Sequence, residues 1–336
     1  MKLKSFMQFT SPSVLLMLAL LALPLAMTFW LSVRNCTANL ELVTVQQTGP
    51  FGAQEVVTQR ARLNASGQVV ESCRFVGGEY YRKILGLEAA SSAAPTSTQK
   101  TTEVVNSAKN EFWGALTFTL TYVAVTTPFI LIGGVLLAMA MSAVTQRLKG
   151  AFIAASLLPF IITPLVGALA IKWLFRDHGL VPHVLSQFGV QIFWMAQAWS
   201  ARLLIILYGV WHVLPFAFIV FYAGLQSVSQ DSLEAATLDG ASRWQKLRYV
   251  TLPHLMPLVV FVMLIHIMDA YRVFEPVLVL TQGAFTTSVQ YLTYDILMQQ
   301  NNPFKASAAA VLTVLGIAVL LIPLLRKTWR EQRAVH

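Results

Sequence analysis

Six stretches of about twenty or more mostly apolar residues recur along this chain. Each is long enough for a helix rising about 1.5 Å per residue to cross a hydrocarbon core about 30 Å thick. They are Pro12–Val33, Phe112–Val144, Ala151–Phe175, Ala201–Gln226, Pro257–Leu280 and Lys305–Leu325. Backbone in lipid must satisfy its own hydrogen bonds, and runs of this length do so as helices. Only 12% of the 336 residues are charged, against about 25% in soluble proteins. The chain therefore reads as an all-α integral membrane protein with six transmembrane helices. The second run is longer than a crossing needs, so it must tilt, kink near Pro128 or extend past the bilayer.

The net charge of +9 does not point to nucleic acid once the basic residues are placed. Lys2, Lys4, Arg147, Lys149, Arg243, Lys246, Arg248, Arg326, Lys327, Arg330 and Arg333 all fall on one side if six spans alternate. The short opposite loops hold Arg176, with Arg202 and Lys305 at span edges. The positive-inside rule then puts both termini in the cytoplasm. The first run, preceded by Lys2 and Lys4, is too long for the 7 to 15 apolar residues of a signal peptide, and we read it as an anchor.

Between spans one and two lies a polar segment, residues 34–110. Short clusters of β-branched and aromatic residues, separated by Gly49-Pro50, Asn64–Gly67 and Gly77-Gly78, specify a small extracytoplasmic β-rich insert. The chain's two cysteines, Cys36 and Cys73, both fall there. In an oxidising compartment they are expected to form a disulfide, the alternative being two free thiols. Ala89–Ala108, rich in Ala, Ser and Thr, reads as a flexible tether.

A polar, helix-forming loop, residues 227–256, separates spans four and five. Asp231 and Glu234 have the spacing of an N-cap and its reciprocal partner, Gly240 can end that helix at positive φ, and Ser242 can cap a second helix that Pro253 stops. Small residues Ala235, Ala236 and Ala241 let another surface approach closely. The order Glu234-Ala235-Ala236, two residues, Asp239-Gly240-Ala241, then a helix to Pro253, resembles the cytoplasmic loop of permease subunits of binding-protein-dependent ABC importers, and the loop falls before the fifth span, as in that family. Leu247 stands where the family often has Phe. Val273-Phe274-Glu275 and Val279-Leu280-Thr281-Gln282-Gly283 look like a stretch of the carbohydrate, maltose-type permeases, with Gln282 and a missing Gly-Gly-Pro run as departures.

The resemblance implies that Glu234, Ala235, Ala236, Asp239, Gly240, Ala241 and Pro253 form a coupling helix seated on a separate nucleotide-binding ATPase subunit. ATP and magnesium would be bound there, with no cofactor in this chain. It also implies a second permease subunit, most simply a different chain, an extracytoplasmic substrate-binding protein, and a bacterial cytoplasmic (inner) membrane. Residues 1–33 would hold the N-terminus and first span, 111–325 a five-helix permease core, and 326–336 a basic cytoplasmic tail.

Ionisable residues inside spans are costly and usually face a cavity or one another. Asp269, Arg272 and Glu275 recur every third residue in the fifth run and would share a helical face. They either hydrogen-bond a hydroxyl-rich solute, with Tyr271 or Trp211 as an aromatic plane for a sugar ring, or form an internal ion-pair ladder; both readings stay open. Lys172 is expected to snorkel, Trp173, Trp194 and Trp199 to join the interfacial aromatic belt, and His212 and His266 to serve packing. A phosphate-cradling Gly-Lys-Ser/Thr sequence, HExxH and a serine nucleophile elbow are absent, so the chain reads as a transport subunit and not an enzyme. Rival readings are an importer of a phosphate ester, polyamine or oligopeptide, an ion-coupled secondary transporter using Asp269 and Glu275, and a membrane-anchored receptor.

Overall fold

The computed structural model describes residues 3–49, 52–62, 64, 71–87 and 98–334. Five of its helices are long and apolar enough to cross a membrane, and a sixth crossing is reached if one bent pair counts as a span. Two compact bodies are present, one of residues up to 109 with Thr293–Leu312, the other of Asn110–Leu292 with the chain from Thr313 onward.

The first body opens with α1, Leu3–Ser32, whose membrane-length stretch Thr10–Ser32 buries only Ser32 within the chain. At its end the Ser32 hydroxyl donates to the Phe29 carbonyl at 2.6 Å and meets the Tyr81 hydroxyl at 2.7 Å. The Arg34 guanidinium lies over the Trp30 ring at 4.2 Å. Four strands follow, β1 Arg34–Ala38, β2 Leu40–Gly49, β3 Gly52–Ala61 and β4 Glu71–Phe75. They form two antiparallel ribbons, β1 with β4 and β2 with β3, so the insert has no sheet wider than two strands among the described residues.

A two-stranded ribbon is marginal in water by itself. Here Cys36 stands directly opposite Cys73 in the β1–β4 register, and the two are disulfide-bonded with Cα atoms 4.0 Å apart. Their separation of 37 residues makes the crosslink worth about 4 kcal/mol on the chain-entropy model. A Cys36→Ser, Cys73→Ser variant is expected to lose protection of the insert, read as faster limited proteolysis between residues 38 and 71 with unchanged membrane insertion.

After β4, α2 spans Glu79–Leu85 and closes on Gly86 at φ 66°. Lys83 pairs with Glu79 one turn away at 2.5 Å, and that hydrogen bond holds the Glu79 carboxyl below its ordinary range. Thr98 opens α3, which runs to Ser142. The segment read as a flexible tether is thus helical from Thr98, while residues 88–97 lie outside the described residues. Once a long membrane helix exists, extending it outward avoids the cost of nucleation, and Ala and Ser do not resist.

In the second body, α3 packs along α7, Ala198–Gln226, and against α10, Leu252–Ala270. Ile130, Ala138, Met141, Ala217, Phe218, Phe221 and Val262 form one buried cluster. A second cluster joins Phe118, Tyr122, Leu204, Ile205, Tyr271 and Val277. Gly133 and Gly134 of α3 face Leu214 and Ala217 of α7, an approach only small residues allow between membrane helices.

The third run does not form one straight helix. It divides into α4, Gln146–Ile161, and α5, Pro164–Phe175, followed by the short α6, Leu180–Gln187. The two parts are bent by 95°. Pro164 is the cause: it lacks an N–H and pushes Thr163, at ψ 143°, out of the helical region.

Candidate functional site

Two places concentrate polar chemistry, the loop after α7 and a cavity at the far end of α10. In the loop, α8 spans Gln230–Leu238 and is capped by Ser229, whose hydroxyl accepts from the Ser232 N–H at 3.4 Å. Asp231, expected as the cap, sits instead in the first turn, where its charge opposes the positive end of the helix dipole. Gly240 takes φ 74°. Its N–H reaches the Thr237 carbonyl at 3.0 Å while that of Ala241 reaches Ala236 at 2.9 Å, the paired bonds of a Schellman ending. Ser242 then opens α9, Arg243–Lys246, through a reciprocal capping box with Gln245. Leu238, at 91% exposure, and Trp244 and Tyr249 present apolar surface from this loop.

Pro253 does not stop the second helix. A π turn, Leu247–Thr251, joins α9 to α10, and Pro253 sits in the first turn of α10. In the wider turn the Leu252 N–H bonds back to Leu247, and Pro253 follows in the first turn of α10, where a missing N–H is tolerated. The result is one continuous helical element from Arg243 to Ala270.

That element ends at the cavity. The fifth run was expected to stay helical to Leu280, placing Asp269, Arg272 and Glu275 on one face. Instead α10 ends at Ala270, and the chain turns with the Arg272 N–H on the Asp269 carbonyl at 3.1 Å. Pro276 cannot supply the N–H that would carry the helix through. A π segment, Val277–Thr281, follows. The ladder reduces to one exposed pair, Arg272 to Asp269 at 3.7 Å. Glu275 has no ion-pair partner among the described residues.

All three still line the same cavity of about 300 Å³, the lower end of the range for small-molecule sites. Neither aromatic residue proposed for it does. Tyr271 is 2% exposed in the core, its hydroxyl against Gly316 of the last helix, α12, Pro303–Ala334. Trp211 packs beside Tyr208, ring centroids 6.0 Å apart, and is not in the wall. The rings in the wall are Tyr122, Tyr208 and Phe274, with His212, His266 and Gln290 adding polar atoms. Nothing in the spacing of these residues marks them, because they come from three helices and the segments after α10.

Two of them hold the bend between α4 and α5. The Tyr208 hydroxyl donates to the Pro164 carbonyl at 2.6 Å, and His212 Nδ1 donates to the Pro159 carbonyl at 2.8 Å. Their rings stack 5.7 Å apart at 8°. His266 of α10 bonds through Nε2 to Thr126 of α3 at 3.0 Å. Lys172, expected to snorkel, instead donates to the Val279 carbonyl at 2.7 Å, because a π turn leaves carbonyls free that an α turn would use. Trp194, expected at the interface, is buried edge-on to Phe175 at 5.0 Å, whereas Trp173 and Trp199 are exposed.

Residues 105–333 match the family described as binding-protein-dependent transport system inner membrane component. The chain is 32% identical over 192 residues to the trehalose/maltose transport system permease protein of Thermococcus litoralis, covering 55% of this chain and 64% of that relative's length. It is 28% identical over 311 residues to a probable ABC transporter permease protein of Sinorhizobium fredii, covering 86% of this chain and 98% of the relative. Its fold is similar to a chain in the crystal structure of a bacterial alginate ABC transporter in complex with an alginate pentasaccharide-bound periplasmic protein, with TM-score 0.60 and 25% identity over 66% of this chain and 79% of the other. A continuous helix from a capped polar loop to a polar cavity, inside a sequence that matches over most of its length, makes this chain a member of the binding-protein-dependent transport system inner membrane component family.

Proposed function

We propose that this chain is the membrane permease subunit of an ATP-driven importer and forms half of the translocation path for a carbohydrate or related polyol. The observation that carries this reading is the single helical element from Arg243 to Ala270, about 42 Å long at 1.5 Å per residue. It starts at the Gly240 turn, which offers Leu238 and Trp244 to a partner, and ends beside Asp269 in the cavity. A push on the loop therefore moves the cavity wall as a rigid arm.

The loop's partner is a separate ATPase subunit that binds ATP and magnesium. A second permease subunit supplies the other half of the path, and a soluble binding protein delivers the solute to the outer face. The charge pattern supports six crossings with both termini inside: counting α4 and α5 as one bent span keeps every basic loop from Lys4 to Arg326 on one side. A re-entrant pair would split those loops between two compartments. The sugar assignment draws on the relative named as a trehalose/maltose permease and on the cavity's aromatic and hydrogen-bonding lining.

The test is uptake of trehalose and maltose into vesicles holding the complete transporter. Uptake is expected to require ATP and to survive an uncoupler; collapse with the uncoupler while ATP is absent would favour ion coupling. Asp269→Ala is expected to raise KM for the sugar about fivefold to tenfold, the effect of losing a charge-assisted hydrogen bond, with normal assembly. Failed assembly at unchanged KM would mark Asp269 as a packing residue.

A further inference from the structure

His266 is the most buried polar residue of the cavity wall, 2% exposed, and its two nitrogens are in opposite situations. Nε2 lies 3.0 Å from the Thr126 hydroxyl. That hydroxyl has one proton, and it goes to the Tyr122 carbonyl at 2.8 Å. With the proton directed at that carbonyl the Thr126 oxygen is free to accept from His266, the arrangement in which the ring proton sits on Nε2. Nδ1 is left as a bare acceptor, buried and without a hydrogen-bond partner in the protein. Orphaned buried acceptors are rare because each forfeits the hydrogen bond that water would have made.

We propose that His266 is a solute-binding residue whose Nδ1 accepts a hydrogen bond from a sugar hydroxyl, and that Thr126 is the positioning residue that fixes its tautomer. His266 lines the cavity, and because Nδ1 is closed to solvent in this conformation, a hydroxyl in the cavity reaches it when the wall moves. Asp269 and Glu275 are acceptors in the same wall, while Arg272 and Gln290 bring donors, a mixed set suited to hydroxyl groups that both give and take hydrogen bonds. Thr126 lies on α3 and His266 on α10, so a relative shift of the two helices breaks the Nε2 bond and frees the tautomer, releasing the solute as the walls part. The proposal rests on the carbohydrate reading of the cavity.

Two amides separate a binding role from a packing role. Asn places its amide near the position of Nδ1, whereas Gln reaches the position of Nε2. In the assembled transporter with its partner subunits, H266Q is expected to keep the Thr126 contact yet raise KM for trehalose about tenfold, while H266N stays within about threefold. A purely structural histidine gives the reverse order, and that order, or no change in either variant, overturns the proposal. T126V is expected to raise KM as H266Q does and T126S to restore it; equal KM in all four variants overturns the positioning role.

A measurement on the unaltered protein covers the case in which the variants fail to assemble. With 15N-labelled histidine in the full complex, one Nδ1 is expected to show an unprotonated resonance that shifts when trehalose is added. The absence of any unprotonated Nδ1 resonance that shifts at saturating trehalose overturns the proposal. Wild-type transporter that takes up neither trehalose nor maltose removes the carbohydrate reading itself, and this proposal with it.

Discussion

Gly134→Val is expected to reduce the folded, membrane-extracted protein to a small fraction of the wild-type amount. A Cβ at Gly134 would lie 2.8 Å from the Ala217 Cβ, 3.1 Å from the Phe221 ring and 3.2 Å from the Ala217 carbonyl carbon. The last of these is backbone, so rotamer changes cannot relieve it. Overpacking of this kind costs about 3 kcal/mol, a large part of the total stability of a typical domain. The clash pries α3 from α7 at the cluster that holds Ile130 and Phe218. The measurement is size-exclusion yield and thermal stability of the extracted complex. Gly134→Ala is expected to be milder, and Ala217→Gly in the same chain to recover part of its loss, since the methyl then has room. Wild-type yield for Gly134→Val would mean that the helices are not this close.

Gly240→Val is expected to lower ATP-driven uptake at least tenfold while yield and membrane insertion stay near wild type. The two glycines fail for different reasons. A side chain at Gly240 meets nothing within 4 Å, so packing is not at stake; the backbone is, because φ 74° lies where a β-branched residue is a rare outlier. Valine would abandon that conformation and with it the bonds from Gly240 to Thr237 and Ala241 to Ala236. The angle between α8 and the long arm would then change, and the loop would present Leu238 and Trp244 differently. Asn tolerates the left-handed region better than other residues with side chains, so uptake is expected to rise in the order Val, Ala, Asn. Normal uptake by Gly240→Val would remove the coupling role from this loop.

The membrane helices were legible because a hydrocarbon core imposes a length requirement that each run meets alone, whatever its neighbours. Gly240 was legible for a similar reason, since a positive φ after a short helix is a local demand that glycine answers. The cap at Ser229 was missed in favour of Asp231 because both residues are competent acceptors, and which one leads depends on where the chain leaves α7. The break at Thr163-Pro164 was missed because a proline inside an apolar run can equally kink a helix or sit in its first turn. Tyr208 and His212 decide that case from another helix by capturing the carbonyls of Pro164 and Pro159.

The cavity shows the division most plainly. The acids and Arg272 stood out because an ionisable residue in an apolar run is conspicuous by itself. Tyr271 and Trp211 do not line this cavity and Tyr122 and Tyr208 do, because helix rotation selects which ring faces inward. By itself the sequence determined which segments are long and apolar enough to cross a membrane and where the chain turns at Gly240, since these follow from hydration and backbone conformation over a few residues. Only the tertiary structure decided that α10 stops at Ala270, that its last turn meets a wall of tyrosines and imidazoles, and that Nδ1 of His266 is left unmet. Those are contacts between residues as many as 140 positions apart, and they depend on how helices rotate against one another.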